Sequence, residues 1–181
     1  DDVIVGASNA SYVIFGGTDI VGAAALIPIQ GTAADDDLQG TQAAEYLDGG
    51  AGNDTLIGGG GADKLNGGKG DDVIRIVDAD FAAIDGGAGG DTLKFQGSDL
   101  HLDLTQLENR IHHVETFDMQ GAGNNTLTLT NDSILQIQGN FSSETTIRGD
   151  SGDRVVLLDR DWRDGGVTGG YHTYFHISGS S

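Results

Sequence analysis

Three features predict an all-β fold, a parallel β-roll or β-solenoid, over most of the 181 residues. From Gly31 the chain repeats in blocks of nine: GTAADDDLQ, GTQAAEYLD, GGAGNDTLI, GGGGADKLN and GGKGDDVIR, then ten looser residues (IVDADFAAID), then GGAGGDTLK. Position six of these blocks is acidic (Asp36, Glu45, Asp54, Asp63, Asp72, Asp91), and position eight is apolar (Leu38, Leu47, Leu56, Leu65, Ile74, Leu93). Beyond Lys94 the glycine period fades, but short apolar stretches recur at roughly eight to twelve residues, the spacing of further strands.

Within each block the glycines let the chain turn through positive φ and bring its own carbonyls close together. The residues after the turn suffice for a short strand with one side chain facing inward. Two blocks, 18 residues, make one coil. Blocks from Gly31, Gly49, Gly67 and Gly86 then stack on one edge, the last displaced by one residue, and blocks from Gly40 and Gly58 stack on the other. On that second edge the third layer is expected to have decayed into Ile76 to Asp85. One buried leucine per block does little to offset the ordering of nine residues, and stacked carboxylates repel, so the roll is expected to need a cation.

The flanks are read as coils of lower regularity. Residues 1–30 are expected to form degenerate N-terminal coils with a strand at Tyr12 to Phe15, and Asp19 as a stray ligand. The opening DDVIV matches the last five positions of another block, and a piece of a longer protein is the expectation. Residues 31–94 form the roll, and residues 95–181 a β-solenoid extension and C-terminal cap. Strands there are expected at Leu93 to Phe95, Leu102 to Leu104, Val114 to Met119, Leu127 to Leu129, Ile134 to Ile137, Thr146 to Arg148 and Val155 to Leu158. Thr105 and Glu108 have the spacing of a capping box for one helical turn. A cap is required because an open solenoid edge invites pairing with another chain.

Composition narrows the function. Acidic residues number 28 against 9 basic, a net charge of −19, which disfavours nucleic acid and anionic membranes. With no cysteine, disulfides and thiolate zinc sites are excluded. The longest apolar run, Val21 to Ile29, is too short to span a membrane and contains a proline. No phosphate loop is present, because the glycine turns lack the lysine and following Ser/Thr. A glycosidase needs two carboxylates flanking a cleft, whereas the regular carboxylates here belong to the repeat. Catalysis is not expected. His101, His112 and His113 are read as solvent-facing or satisfied; His172 and His176, four apart on a strand, would not converge on one zinc ion. Trp162, Tyr171, Tyr174 and Phe175 are read first as core and cap packing, and second as a sugar-binding platform.

The blocks resemble the glycine/aspartate-rich nonapeptide G-G-x-G-x-D-x-U-x of RTX (hemolysin-type) calcium-binding proteins, which implies a parallel β-helix that binds several Ca2+ ions. It implies ions between turns one coil apart, held by position-six carboxylates: Asp36 with Asp54, Asp54 with Asp72, and Asp72 with Asp91. Glu45 with Asp63 makes a poorer cleft on the second edge. Turn carbonyls would complete the sites, here those of Gly49, Ala51, Gly67, Lys69, Gly86 and Ala88. The second half is similar to a segment after the repeats in large bacterial RTX adhesins, on VETFDMQGAGNNTLTLT, IRGDSGDRVVLL, a tryptophan and YHTYF. It departs from that pattern in placing Asn125 at the aspartate position and in shifting its acids to Asp150 and Asp153. The resemblance implies a monomeric, calcium-folded, non-enzymatic module of a secreted or surface-anchored adhesin, exported unfolded by type I secretion. The alternatives are a module recognising a cell-surface glycan or protein ligand, and an accessory module of a secreted polysaccharide-modifying enzyme.

Overall fold

The computed structural model describes residues 3–7, 10–14, 27–107, 109–121, 123–138, 145–159, 162–168 and 171–176, with side chains for 28–107, 109–121, 123–138 and 145–159. It opens with β1 (Val3–Ala7) and β2 (Ala10–Ile14), then β3 (Ile27–Gln30). The repeat region supplies β4 (Asp37–Gln39), β5 (Glu45–Ala51), β6 (Thr55–Ile57), β7 (Lys64–Lys69), β8 (Val73–Ile76), β9 (Ala83–Ala88) and β10 (Thr92–Phe95). Beyond it come β11 (His101–Asp103), β12 (Ile111–His112), β13 (Thr116–Asp118), β14 (Thr126–Leu129) and helix α1 (Asn131–Ile137). The described chain closes with β15 (Thr146–Arg148), β16 (Arg154–Leu157), β17 (Trp162–Thr168) and β18 (Tyr171–His176).

Three parallel sheets follow from the repeat. One holds β4, β6, β8, β10, β13 and β15 in that order; the second holds β3, β5, β7, β9 and β12; the third holds β11, β14 and β16. The apolar position eight sets the register. Leu38, Leu56, Ile74, Leu93 and Phe117 stack in one column, and Ile29, Leu47, Leu65, Ile84 and Ile111 in another. All ten are buried in one continuous core. In every repeat strand the side chains on either side of this residue point outward, as the two-residue period of a strand requires. A shift of one residue would turn each column out to solvent, so the columns hold the register.

The flanks depart from a plain coil. β1 and β2 pair antiparallel, covering most of the expected Tyr12 to Phe15 strand, and parallel stacking begins at β3. Asp19 lies outside the described residues. The ten looser residues keep their layer instead of losing it: β9 pairs with β7, Ile84 stands opposite Leu65, and Phe81 is buried in the core. The stretch Ile134 to Ile137, expected as a strand, lies in α1. Thr130 and Ser133 form a reciprocal capping box there, and Ile134 and Ile137 face the core three residues apart. The expected turn near Thr105 is a 3-10 turn, Leu104–Gln106, but Asp103 caps it by accepting from the Thr105 N–H; Glu108 lies outside the described residues. β17 and β18 pair antiparallel. No helix among the described residues is long and apolar enough to cross a membrane.

Core burial at position eight should contribute strongly to the stability of the coils. Leu56→Ala, at a fully buried site, is expected to cost about 2–5 kcal/mol in urea unfolding at saturating calcium. Leu158→Ala, at a side chain 56% exposed, is expected to change stability by under about 0.5 kcal/mol.

Candidate metal centre

Asp36, Asp54, Asp72 and Asp91 each directly precede a strand of the six-stranded sheet, which places them one above another along one edge. A repeated hydrogen bond links them. The backbone N–H of Asp36 donates to Asp54 Oδ1 at 2.8 Å, that of Asp54 to Asp72 Oδ1 at 2.7 Å, and that of Asp72 to Asp91 Oδ1 at 2.9 Å. All four residues are buried. The bond commits one carboxylate oxygen of each acceptor and draws the carboxyl group in between the coils.

The second oxygen is left without a donor. Oδ2 of Asp54, Asp72 and Asp91 is buried with no hydrogen-bond partner, a costly state for a carboxylate. The position-one glycines show what lies beside each one. A Cβ built on Gly49 would strike both Asp54 Oδ2 and the Gly67 carbonyl oxygen. One on Gly67 would strike Asp72 Oδ2 and come within 2.5 Å of the Gly86 carbonyl oxygen. One on Gly86 would strike the His113 carbonyl oxygen and lie 2.7 Å from Asp91 Oδ2. In each cradle carboxylate and carbonyl oxygens approach each other between coils, the all-oxygen donor set that suits calcium. Among the described residues no three His, Asp or Glu side chains gather on one point; the donors are paired carboxylates with turn carbonyls.

The expected ligands do not all behave alike. Asp36 Oδ2 already accepts from the Thr32 N–H at 2.6 Å and the Thr32 hydroxyl at 2.8 Å, so the first cleft is largely satisfied by protein. On the second edge the Glu45 N–H donates to Asp63 Oδ1 at 2.9 Å, and Thr41 donates to the Glu45 carboxylate through its N–H and hydroxyl. The next coil supplies no acid to Asp63: Ala82 and Ala83 donate to its carbonyl instead. The carbonyls of Gly67 and Gly86 border the cradles, and that of Gly49 lies beside Gly31 and the Asp36 carboxylate. Those of Lys69 and Ala88 accept the N–H groups of Gly52 and Gly70 at 2.8 Å each, and so knit the coils. Ala51 donates its N–H to the Thr32 carbonyl at 3.1 Å.

Two features escaped the nine-residue reading. Glu115 continues the ladder, accepting the Asp91 N–H on Oε2 at 2.8 Å, just before β13. A second ladder runs in the opposite sense at position five: Asn53 N–H to Asp35, Asp71 N–H to Asn53, and Gly90 N–H to Asp71, at 2.7–2.8 Å. The sequence signal for the latter was the run of Asp and Asn at position five. In the C-terminal half the pattern recurs without stacked acids. The Leu100 N–H donates to Asn125 Oδ1 at 2.9 Å and the Asn125 N–H to Asp153 Oδ1 at 2.8 Å. Asp153 Oδ2 and Asp150 Oδ2 accept the N–H groups of Asp150 and Gly121, which makes this stretch a self-satisfied turn. His113 Nδ1 lies 2.7 Å from Asp85 Oδ1. The side chains of Trp162, Tyr171, Tyr174, Phe175, His172 and His176 lie outside those described.

Electrostatics reports the same demand. Burial, followed by repulsion from neighbouring acids and opposed by the ladder N–H, raises the pKa of Asp54 and Asp72. The same causes push Asp63 up to about 6 and Asp91 up to about 7, with Glu115 among the charges acting on Asp91.

Residues 39–74 match the family model of the RTX calcium-binding nonapeptide repeat, in four copies. The carboxylate ladder extends past this match on both sides, to Asp36 and to Asp91. No curated protein and no solved structure matches the chain.

Groups whose pKa rises on folding hold protons more tightly when folded. They stabilise the ion-free fold fully below the ordinary carboxylate value near 4, and that contribution is lost as pH climbs through about 6 to 7. In excess chelator, the β signal in circular dichroism is expected to be stronger at pH 5 than at pH 8. Calcium should remove most of that difference, because it replaces the protons.

Proposed function

Taking residues 39–74 as four RTX calcium-binding repeats, we propose that this chain is a calcium-folded, non-enzymatic module of a large secreted or surface-anchored bacterial RTX protein of the adhesin kind. The observation that carries the reading is the column of buried, unpartnered Oδ2 atoms on Asp54, Asp72 and Asp91. A divalent ion in each cradle would neutralise two facing carboxylates and supply the partner that the protein withholds. Without it the column holds desolvated like charges in a chain of net charge −19. Calcium binding and folding are then one equilibrium.

That coupling suits export by type I secretion. In a cytoplasm poor in free calcium the coils stay open and can thread a channel; in millimolar calcium outside they close and oppose back-sliding. Catalysis has no part in this reading, in which the carboxylates of Asp54, Asp72 and Asp91, each tied to a backbone N–H of the neighbouring coil, serve as ion ligands.

Asp72 borders two cradles, so Asp72→Asn is the decisive variant. It keeps an acceptor for the Asp54 N–H but removes the charge. The calcium concentration at half-folding is expected to rise by about tenfold or more, equivalent to ~1.4 kcal/mol. Asp132→Asn, on the exposed side of α1, should leave it unchanged. Equal midpoints for wild type and Asp72→Asn would refute the proposal.

A further inference from the structure

The column of cradles runs one step past the repeats. Of the three unpartnered oxygens, Asp54 Oδ2 and Asp72 Oδ2 lie beside carbonyls of the next repeat turn, Gly67 and Gly86. The third, Asp91 Oδ2, lies beside the carbonyl of His113, which belongs to no nonapeptide. Asp91 is 1% exposed, and its free oxygen is turned into the gap between its own coil and the segment entering β13. Across that gap stands Glu115, whose Oε2 accepts the Asp91 N–H as Asp91 Oδ1 accepts that of Asp72. The backbone continues the parallel, since the Thr116 N–H donates to the Asp91 carbonyl at 3.0 Å as the Thr92 N–H donates to that of Asp72 at 2.8 Å. Glu115 therefore occupies the register of a position-six acid in a further coil. It is reached after 24 residues, where the repeats take 18 or 19.

We infer that Asp91, Glu115 and the His113 carbonyl form a divalent-cation site at the junction between the repeats and the C-terminal half. The inference rests on the calcium reading proposed above and assigns it a site outside the repeat motif. The longer glutamate side chain reaches the edge from a strand that a longer loop has brought into line. His113 adopts φ 51°, a left-handed conformation for a side-chain-bearing residue, at the point where its carbonyl enters the cradle. An ion here would tie β10 to β13 through side chains as well as through the sheet. Folding of the C-terminal half would then depend on calcium although its own turn at Asn125 and Asp153 is satisfied by protein.

The test is an anomalous-scattering map of crystals of the full chain grown with calcium. Peaks are expected at the Asp54–Asp72 and Asp72–Asp91 cradles, with a further peak bounded by Asp91, Glu115 and His113. In E115Q, whose amide oxygen can still accept the Asp91 N–H, the junction peak should be lost and the repeat peaks retained. Repeat peaks without a junction peak, or a junction peak undiminished in E115Q, overturn the inference and leave the repeat reading standing. Absence of every peak overturns both. Should E115Q fail to fold, the wild-type map decides alone.

Discussion

Everything in this structure depends on one bond: the backbone N–H before each edge strand donates to the carboxylate of the next coil. It sets the spacing of the coils and the height of each acid, and it commits one oxygen of every pair. The same bond turns the second oxygen into the protein, beside a glycine and a carbonyl, where no donor is available. A neutral amide at these positions would build a ladder of the same shape, as Asn125 does between Leu100 and its neighbours. Aspartate builds the ladder and adds an unmet charge. The fold is therefore arranged so that its own register leaves the second oxygen of Asp54, Asp72 and Asp91 without a protein donor.

Position two decides how much of that requirement is left. Where it is threonine, at Thr32 and Thr41, the N–H and hydroxyl both turn to the carboxylate four residues on and satisfy it. Where it is glycine, at Gly50, Gly68 and Gly87, φ lies near +100° and no hydroxyl exists. Glycine thus has two roles here, since it permits the left-handed turn and also withholds a donor. The outcome is graded along the chain: the first layer of each edge is closed by protein, and the later layers of the first edge are open to a cation. The second edge ends early because the coil after Asp63 offers Ala82 and the buried Phe81 in place of an acid.

The repeat was legible because both of its signals are local and periodic. Asp36, Asp54, Asp72 and Asp91 recur at one-coil spacing beside a buried leucine or isoleucine, and the structure stacks them accordingly. Periodicity could not show how many oxygens each acid keeps free, since that depends on Thr32 and Thr41, two residues outside the acid–leucine pattern. Nor could it reach Glu115, because the loop that brings β13 into line has no fixed length. The helix at Asn131–Ile137 was hidden for a related reason. A four-residue stretch with three apolar residues fits a strand or one helical turn equally, and the Thr130–Ser133 capping box starts the helix. The layer at Ala83–Ala88 survived the replacement of a nine-residue block by ten looser residues because Ile84 could still enter the core column, and Phe81 is buried with it.

The claim at the centre is that cations between coils, more than the core alone, hold the spiral closed. Amide hydrogen exchange of the full chain at neutral pH, followed residue by residue with calcium and with chelator, tests it most directly. Strong protection is expected in calcium at the ladder amides of Asp36, Asp54, Asp72 and Asp91, lost together when calcium is withdrawn. Protection of those four amides that is equally strong in chelator would contradict it.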